Sequence, residues 1–289
     1  MPPESIFATL HRAVAHATCT VCILAQTPAA AQSAERGDDD RSRVTIGVGA
    51  ATLPDYEGAD RNSVTPGAVI VGRLDGHDFF TRGTQLYVNL VSSGSGPGTN
   101  LEVGVIGAVR LDRTNRVANP QVRALGKIGT AWEAGGYVGV SRTGVVTSEY
   151  DTLTMRVAYV HDLSGVYDSY VVTPQVNYTT PLSRRTLVYV GASADYVGKG
   201  YGQTYFGVTP SAAVASGLRP YSVGDGGWKR YDLTAFAIQS ITGDLRRGLG
   251  VGVGVLYGRM LGRFKRSPIV SDIGDANQLA AAAGLTYTF

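Results

Sequence analysis

From Val44 onward the chain alternates apolar residues with small or polar ones in segments of roughly ten. Gly, Asp, Asn, Ser or Pro separate the segments. Period two places successive side chains on opposite faces, so each segment reads as a strand with one apolar and one polar face. In SYVVTPQVNYT, Tyr170, Val172, Pro174, Val176 and Tyr178 share one face, and Val171, Thr173, Gln175, Asn177 and Thr179 share the other. Tyrosines end the apolar face, where aromatic girdles meet bilayer interfaces. Pro174 cannot donate to a ladder, so this strand calls for a bulge. Leu101, Val103, Val105 and Val109 oppose Glu102, Gly104 and Arg110, while Leu153, Met155, Val157 and Tyr159 oppose Thr154, Arg156 and Ala158. Val251, Val253, Val255 and Tyr257 oppose glycines at 250, 252, 254 and 258. A soluble sandwich fills its inner face with bulky side chains. A glycine face suits a tight lumen or a close backbone approach.

Eleven such segments can be marked, near 44–52, 63–73, 78–91, 99–110, 131–141, 150–161, 169–179, 186–197, 230–240, 248–259 and 279–289. A single-chain bacterial barrel needs an even number, with short periplasmic turns and long outer loops. Counting back from Phe289 puts 260–278 and 198–229 outside, and ITGDLRR and TPLSRR inside. Counting forward from Val44 puts PDYEGADRN outside and LDGH inside. The two counts collide between residues 111 and 130, so a hidden strand is expected there. The reading is an all-β, antiparallel transmembrane barrel of about twelve strands, with ten as the alternative. One helix interrupts it: Thr209 to Leu218 has a Thr cap, Pro210 at the first position, an Ala-rich body and Gly217 near the stop.

The chain ends AAAAGLTYTF. As a strand, Phe289, Tyr287, Leu285, Ala283 and Ala281 share one face, and Thr288, Thr286 and Gly284 the other. Tyr287 and Phe289 then sit at the periplasmic interface as a candidate insertion signal for the barrel-insertion machinery. An ordinary soluble edge strand would leave both exposed without reason.

Composition narrows the class. Mean hydropathy is near zero, at +0.01, which a barrel gives when its two faces average out. The formal charge of +3 and the lack of a basic cluster with interleaved aromatics argue against a nucleic-acid partner. At the N-terminus Arg12 precedes an apolar run, Ala13 to Ala25, followed by TPAAAQ. This is the pattern of a cleaved signal peptide, expected to span 1–31. Cys19 and Cys22 both fall in it, so the mature chain has no disulfide. Residues 32–43 read as a polar periplasmic linker, and 44–289 as the barrel.

Candidate chemistry is thin, and no catalytic, cofactor-binding or metal residue is assigned. His161, Asp162 and Ser164 have the residue types of a hydrolase, but neighbours on a strand point opposite ways, so a membrane-embedded hydrolase ranks last. His77 stands alone in a tight turn. Asp55, Glu57 and Asp60 could meet a divalent cation, but three acids on a solvated loop usually bind nothing tightly. Trp132, Tyr137 and Trp228 read as interface anchors. Glu102, Arg110, Arg156, Gln175 and Asn177 are the candidate lumen residues; they would plug the barrel or line a narrow pore, making a solute channel the alternative function. Arg82 and Arg123 have no clear side.

Several motifs in order resemble the MltA-interacting protein (MipA)/OmpV family. They are PDYEGAD (Pro54 to Asp60, with Asp55, Tyr56, Glu57 and Gly58 as the family-motif loop), DFFTRG (Asp78 to Gly83) and YFGVTPSAAVASGL (Tyr205 to Leu218). SPIV (Ser267 to Val270), Asn277–Gln278 and the closing LTYTF follow. The TQLYVNL stretch after DFFTRG is bulkier than the family's usual Gly-rich strand, and 111–130 matches poorly. The resemblance implies a barrel in the outer membrane of a Gram-negative bacterium, in contact with lipid and lipopolysaccharide, without cofactor or enzymatic activity. For some members it implies a scaffold holding a murein transglycosylase near a murein synthase, and for others a link to osmotic or antibiotic responses.

Overall fold

A computed structural model of the chain describes residues 42–94, 96–114 and 117–289. The expected signal peptide and nearly all of the linker lie outside the described residues. Twelve antiparallel strands form one closed barrel in which each pairs with its sequence neighbours and the last pairs with the first. They are β1 (Arg43–Pro54), β2 (Asn62–Leu74), β3 (His77–Arg82), β4 (Gln85–Asn89), β5 (Gly98–Arg110), β6 (Ala131–Thr143), β7 (Thr152–Asp162), β8 (Tyr170–Pro181), β9 (Thr186–Val197), β10 (Gly227–Ser240), β11 (Gly248–Met260) and β12 (Asn277–Thr288). Arg43, expected in the linker, already pairs with Arg73. The seam is tight: Gly49 faces Gly284, and a Cβ on Gly49 would lie 2.3 Å from the Ala283 carbonyl.

The twelfth strand is not where the connection count put it. The described residues of 111–130 hold no strand but a short helix, α1 (Pro120–Ala124), capped by Asn119, whose side chain accepts from the N–H groups of Gln121 and Val122. The extra strand comes from the 78–91 segment, which Gly83, at φ 65°, turns back on itself to make β3 and β4. Pro174 also needs no bulge. It pairs with Val157 on one side, and the ladder to β9 passes over Thr173 and Pro174 without a change of register.

Facing follows the alternation. Leu101, Met155, Val190, Val253 and Leu285 are exposed on the outer surface, and Glu102, Arg156, Gln175 and Asn177 are buried inside. A continuous apolar exterior of this extent is what lipid covers. Outward aromatics border it. At the end bearing the long loops lie Trp132, the stacked pair Tyr159–Tyr170 and the edge-on pair Tyr196–Trp228, and at the other end lie Tyr287 and Phe289. Tyr137, expected among these anchors, points inward and is 4% exposed. It lies mid-strand with the parity of Ala131 and Glu133, and that parity decides its side.

The long connections gather at the end away from the termini and fold into a cap. Its helices are α2 (Lys199–Phe206), α3 (Pro210–Ser216), α4 (Gly262–Lys265) and α5 (Pro268–Ser271). The helix expected over Thr209 to Leu218 is α3: Thr209 Oγ1 accepts from Ala212 N at 3.2 Å, and Gly217 takes the left-handed conformation that ends it. Tyr56, Val122, Tyr205, Phe206, Phe264 and Ile269 form the buried centre of the cap. Tyr56 donates to the Ile269 carbonyl at 3.1 Å, and Ser267 to the Phe206 carbonyl at 2.6 Å.

Candidate functional site: a sealed upper lumen

Inward-facing side chains fill the middle and upper lumen in two layers. In the lower layer Arg156 on β7 pairs with Glu102 on β5, Nε to Oε2 at 3.0 Å. The same guanidinium lies 4.8 Å from the Phe80 ring centre and 4.9 Å from that of Tyr137. Phe80 stacks on Tyr87 at 4.8 Å, and Tyr189 stacks on Phe236 at 4.5 Å. Gln175 donates to Tyr87 Oη at 3.4 Å, and Asn177 Oδ1 accepts from Tyr189 Oη at 2.6 Å. Aromatic faces and one satisfied ion pair thus close the cross-section.

The upper layer is ionic. Arg110 holds Glu133 through two contacts, 2.6 and 3.2 Å, and Tyr167 Oη donates to the same carboxylate at 2.8 Å. Lys229 Nζ donates to Glu57 Oε1 at 2.6 Å and to Tyr201 Oη at 3.0 Å, and lies 3.3 Å from Asp195 Oδ2. Tyr201 Oη accepts also from Arg110 at 3.1 Å and donates to Glu57 Oε2 at 2.8 Å, so its one donor and two acceptor positions are all used. Arg230 pairs with Asp232, and Arg82 spans the lumen from β3 to reach Ser193 Oγ on β9 at 2.8 Å. Across both layers five cations (Arg82, Arg110, Arg156, Lys229, Arg230) face five acids (Glu57, Glu102, Glu133, Asp195, Asp232). Charges taken from water must be paired, and here they balance.

Lys229 is 1% exposed, and a break in the strand pattern puts it there. The β9–β10 register shifts between Trp228 and Arg230, making Lys229 the extra residue of a bulge. Trp228 stays outside while Lys229 and Arg230 both reach the interior charges. Glu57 descends from the β1–β2 loop because Gly58, at φ 95°, turns the chain; a Cβ there would lie 2.5 Å from Val270. Burial raises the Glu57 pKa, but Lys229, Arg110 and Arg230 outweigh it and hold the carboxyl below its ordinary range. Asp112, which accepts from Glu57 N at 3.1 Å, is pushed up to about 6 by burial and then by the Glu57 charge. Burial pushes the Tyr201 hydroxyl well up, keeping it neutral.

The candidate lumen residues Glu102, Arg110, Arg156, Gln175 and Asn177 thus lie within or beside these layers. Glu57, Glu133, Asp195, Lys229 and Asp232 were not among them. Glu133, Asp195 and Asp232 lie on inward parity, a readable signal, whereas nothing of period two marks the bulge. Arg123 is exposed on α1. The acidic loop does not converge: Asp55 accepts from Ser63 Oγ, Glu57 turns inward, and no His, Cys, Asp and Glu cluster suited to a metal occurs among the described residues. His77 Nδ1 lies 3.2 Å from the Asn89 carbonyl oxygen. Asp162 accepts from Ser164 N and Oγ and from Tyr167 N, which organises its loop, while His161 has the opposite strand parity.

These features define a closed transmembrane barrel with a capped and charge-filled mouth. Residues 46–289 match the family model described as MltA-interacting protein MipA, and the chain belongs to that family. No curated protein matches it. Among solved structures it is similar to a NanC porin at 10% identity and a TM-score of 0.40, covering 85% of this chain and 98% of that one. An outer membrane channel from Pseudomonas putida F1 is similar at 11% identity and a TM-score of 0.39, covering 88% of this chain and 99% of that one. OmpT of Vibrio cholerae is similar at 9% identity and a TM-score of 0.36, covering 86% and 97%. Likenesses this weak say nothing about ligand or activity.

Lys229→Met leaves Glu57 and Asp195 buried without their ammonium partner, so it should cost about 3–5 kcal/mol in unfolding measured in detergent micelles. Adding Glu57→Gln should recover most of that loss; a single-variant cost under about 1 kcal/mol would mean the cluster does not pin the cap. Asp112 holds its proton more tightly folded than unfolded, so its contribution to stability is greatest below about pH 4 and falls as pH rises through about 6. Thermal midpoints of the wild type should show this fall between those limits, and Asp112→Asn should flatten it.

Proposed function

We propose that this chain is a non-conducting barrel of the Gram-negative outer membrane. In this reading it is a scaffold, without catalytic activity of its own, for periplasmic murein-remodelling enzymes, a transglycosylase and a synthase. The single observation that carries the non-conducting part is the sealed upper lumen, where Lys229 of the wall and Tyr201 of the cap are almost fully buried among paired charges. The scaffold part draws its support from the family's description as MltA-interacting. Residues 1–31 act as the export signal and the segment from 32 up to Arg43, where β1 begins, as a periplasmic tether. Lipid and lipopolysaccharide surround the apolar belt, and Tyr287 and Phe289 present the ending that the insertion machinery reads. The enzymes dock on the end that carries the short turns.

A second reading, a narrow solute channel, has one observation in its favour: the lower lumen is open and lined in part by hydroxyl and charged groups. The purified barrel in a planar bilayer separates the two. The scaffold reading expects no conductance steps above a protein-free membrane, together with enrichment of murein enzymes on the immobilised barrel relative to an unrelated barrel. Steady conductance with Lys229 and Glu57 intact would favour the channel, and absence of enrichment would remove the scaffold.

A further inference from the structure

Below the Arg156–Glu102 layer the lumen is not filled, and its lower mouth gathers arginines. Ser42 Oγ accepts from Asp75 N of the β2–β3 turn at 3.5 Å, so the tether joins the wall at this lower rim. Arg43 follows, in register with Arg73, and both line the cavity of about 150 Å3 that opens here. The sequence brings two arginine pairs to the same rim. TPLSRR closes β8 to β9 and ITGDLRR closes β10 to β11, and β9 pairs with β10, so the two turns are neighbours. Leu245 N donates to the Arg184 carbonyl at 2.9 Å and Ser240 N to the Arg185 carbonyl at 2.7 Å, which locks one turn to the other. The Arg185 guanidinium lies over Gly243, 3.5 Å from where a Cβ would sit. Arg246 lines the cavity, and Arg184, Arg185 and Arg247 are exposed on the rim.

Ring closure joins these groups into one arc. Thr45 and Gly248 are both register partners of Thr288, which sets them two strand spacings, about 10 Å, apart. Arg43 and Arg246 each lie two residues below that line. From the β2–β3 turn through β1 and β11 to the β8–β9 turn, the described rim carries Arg43, Arg73, Arg184, Arg185, Arg246 and Arg247 against three acids, Asp75, Asp78 and Asp244. Asp78 holds Arg73 at 2.7 Å, and Asp244 accepts from Arg246 N at 2.8 Å. The turns across the mouth, 90–97 and 144–151, have no Lys or Arg, and the second adds Glu149 and Asp151. A concave mouth with an excess of one sign draws the other. The tether has that sign next to the wall: Asp38, Asp39 and Asp40 stand four, three and two residues before Ser42. Their extended reach is about 7 to 14 Å, enough to cross from Arg43 to Arg246.

We infer that the arginine arc is the docking surface of this chain's own acidic run, Asp38 to Asp40, which folds the tether back over the lower mouth and closes the cavity from below. The inference rests on the tether reading alone and needs neither the scaffold nor the channel. Trypsin cleavage after Arg36, followed by mass spectrometry on the full mature barrel in micelles, tests it. A free peptide of residues 32–43 gives the intrinsic rate at each salt concentration. The wild-type barrel should be cut about fivefold more slowly than the peptide at low salt, the worth of two or three exposed ion pairs. In about 1 M sodium chloride, where the screening length is about 3 Å, the two rates should converge. Arg184→Gln combined with Arg246→Gln should release the tether at low salt. So should Asp38→Asn, Asp39→Asn and Asp40→Asn together, read against the matching peptide; these lie outside the wall and carry the test should the arginine variant not fold. Glu149→Gln, across the mouth, should change nothing. Wild-type cleavage as fast as the peptide's would overturn the inference and leave the arginines to an outside anion. Protection that persists in both sets of variants would overturn it as well, because nearness to the wall would then be its cause. An intact mass showing a mature chain that begins beyond Asp40 would remove the occupant, and with it the inference.

Discussion

Hydrocarbon offers no partner to a backbone amide, and the rest of this molecule follows from that constraint. A sheet in lipid must close, so β1 must find β12, the strand that completes the ring. Closure needs a seam where backbones approach without obstruction. Gly49 opposite Gly284, flanked by the Ala50–Ala283 and Ala51–Ala282 pairs, supplies it. The alternation that gives lipid its apolar surface then delivers every second residue to a confined interior.

That interior sets its own terms. Polar side chains are acceptable there only when paired, because water is scarce and the effective dielectric is low. The upper lumen meets this with opposed charges arranged around a neutral Tyr201, and the cap loops contribute Glu57 from above. Cap and wall are therefore one electrostatic unit: the loop bearing Glu57 is held by a lysine that a bulge turns inward. The lower lumen meets the same requirement differently. There glycines withdraw side chains, leaving space bordered by hydroxyls.

Much of the wall was legible because period two is a local signal. Leu101 and Glu102, or Met155 and Arg156, fall on the sides that the alternation gives them. The α3 helix was legible for the same reason, since Thr209, Pro210 and Gly217 act within one or two turns. The β3–β4 hairpin was missed because its two short strands together read as one long strand, with only Gly83 marking the turn. Tyr137 was misplaced because a residue type typical of interfaces was weighed above strand parity. Lys229 and Glu57 were out of reach for a deeper reason. A bulge and a loop excursion break periodicity, and their meeting joins positions far apart in sequence, which only the closed ring brings together.

The central claim is ring closure in one register, and disulfide trapping across the seam measures it most directly. In a barrel freed of Cys19 and Cys22, Ala50→Cys with Ala283→Cys should oxidise readily in the folded protein, since the two are register partners on the outer face. Ala50→Cys with Ala281→Cys, displaced by two residues on the same face, should stay reduced under the same conditions. Equal trapping of both pairs, or of neither, would contradict the closed barrel described here.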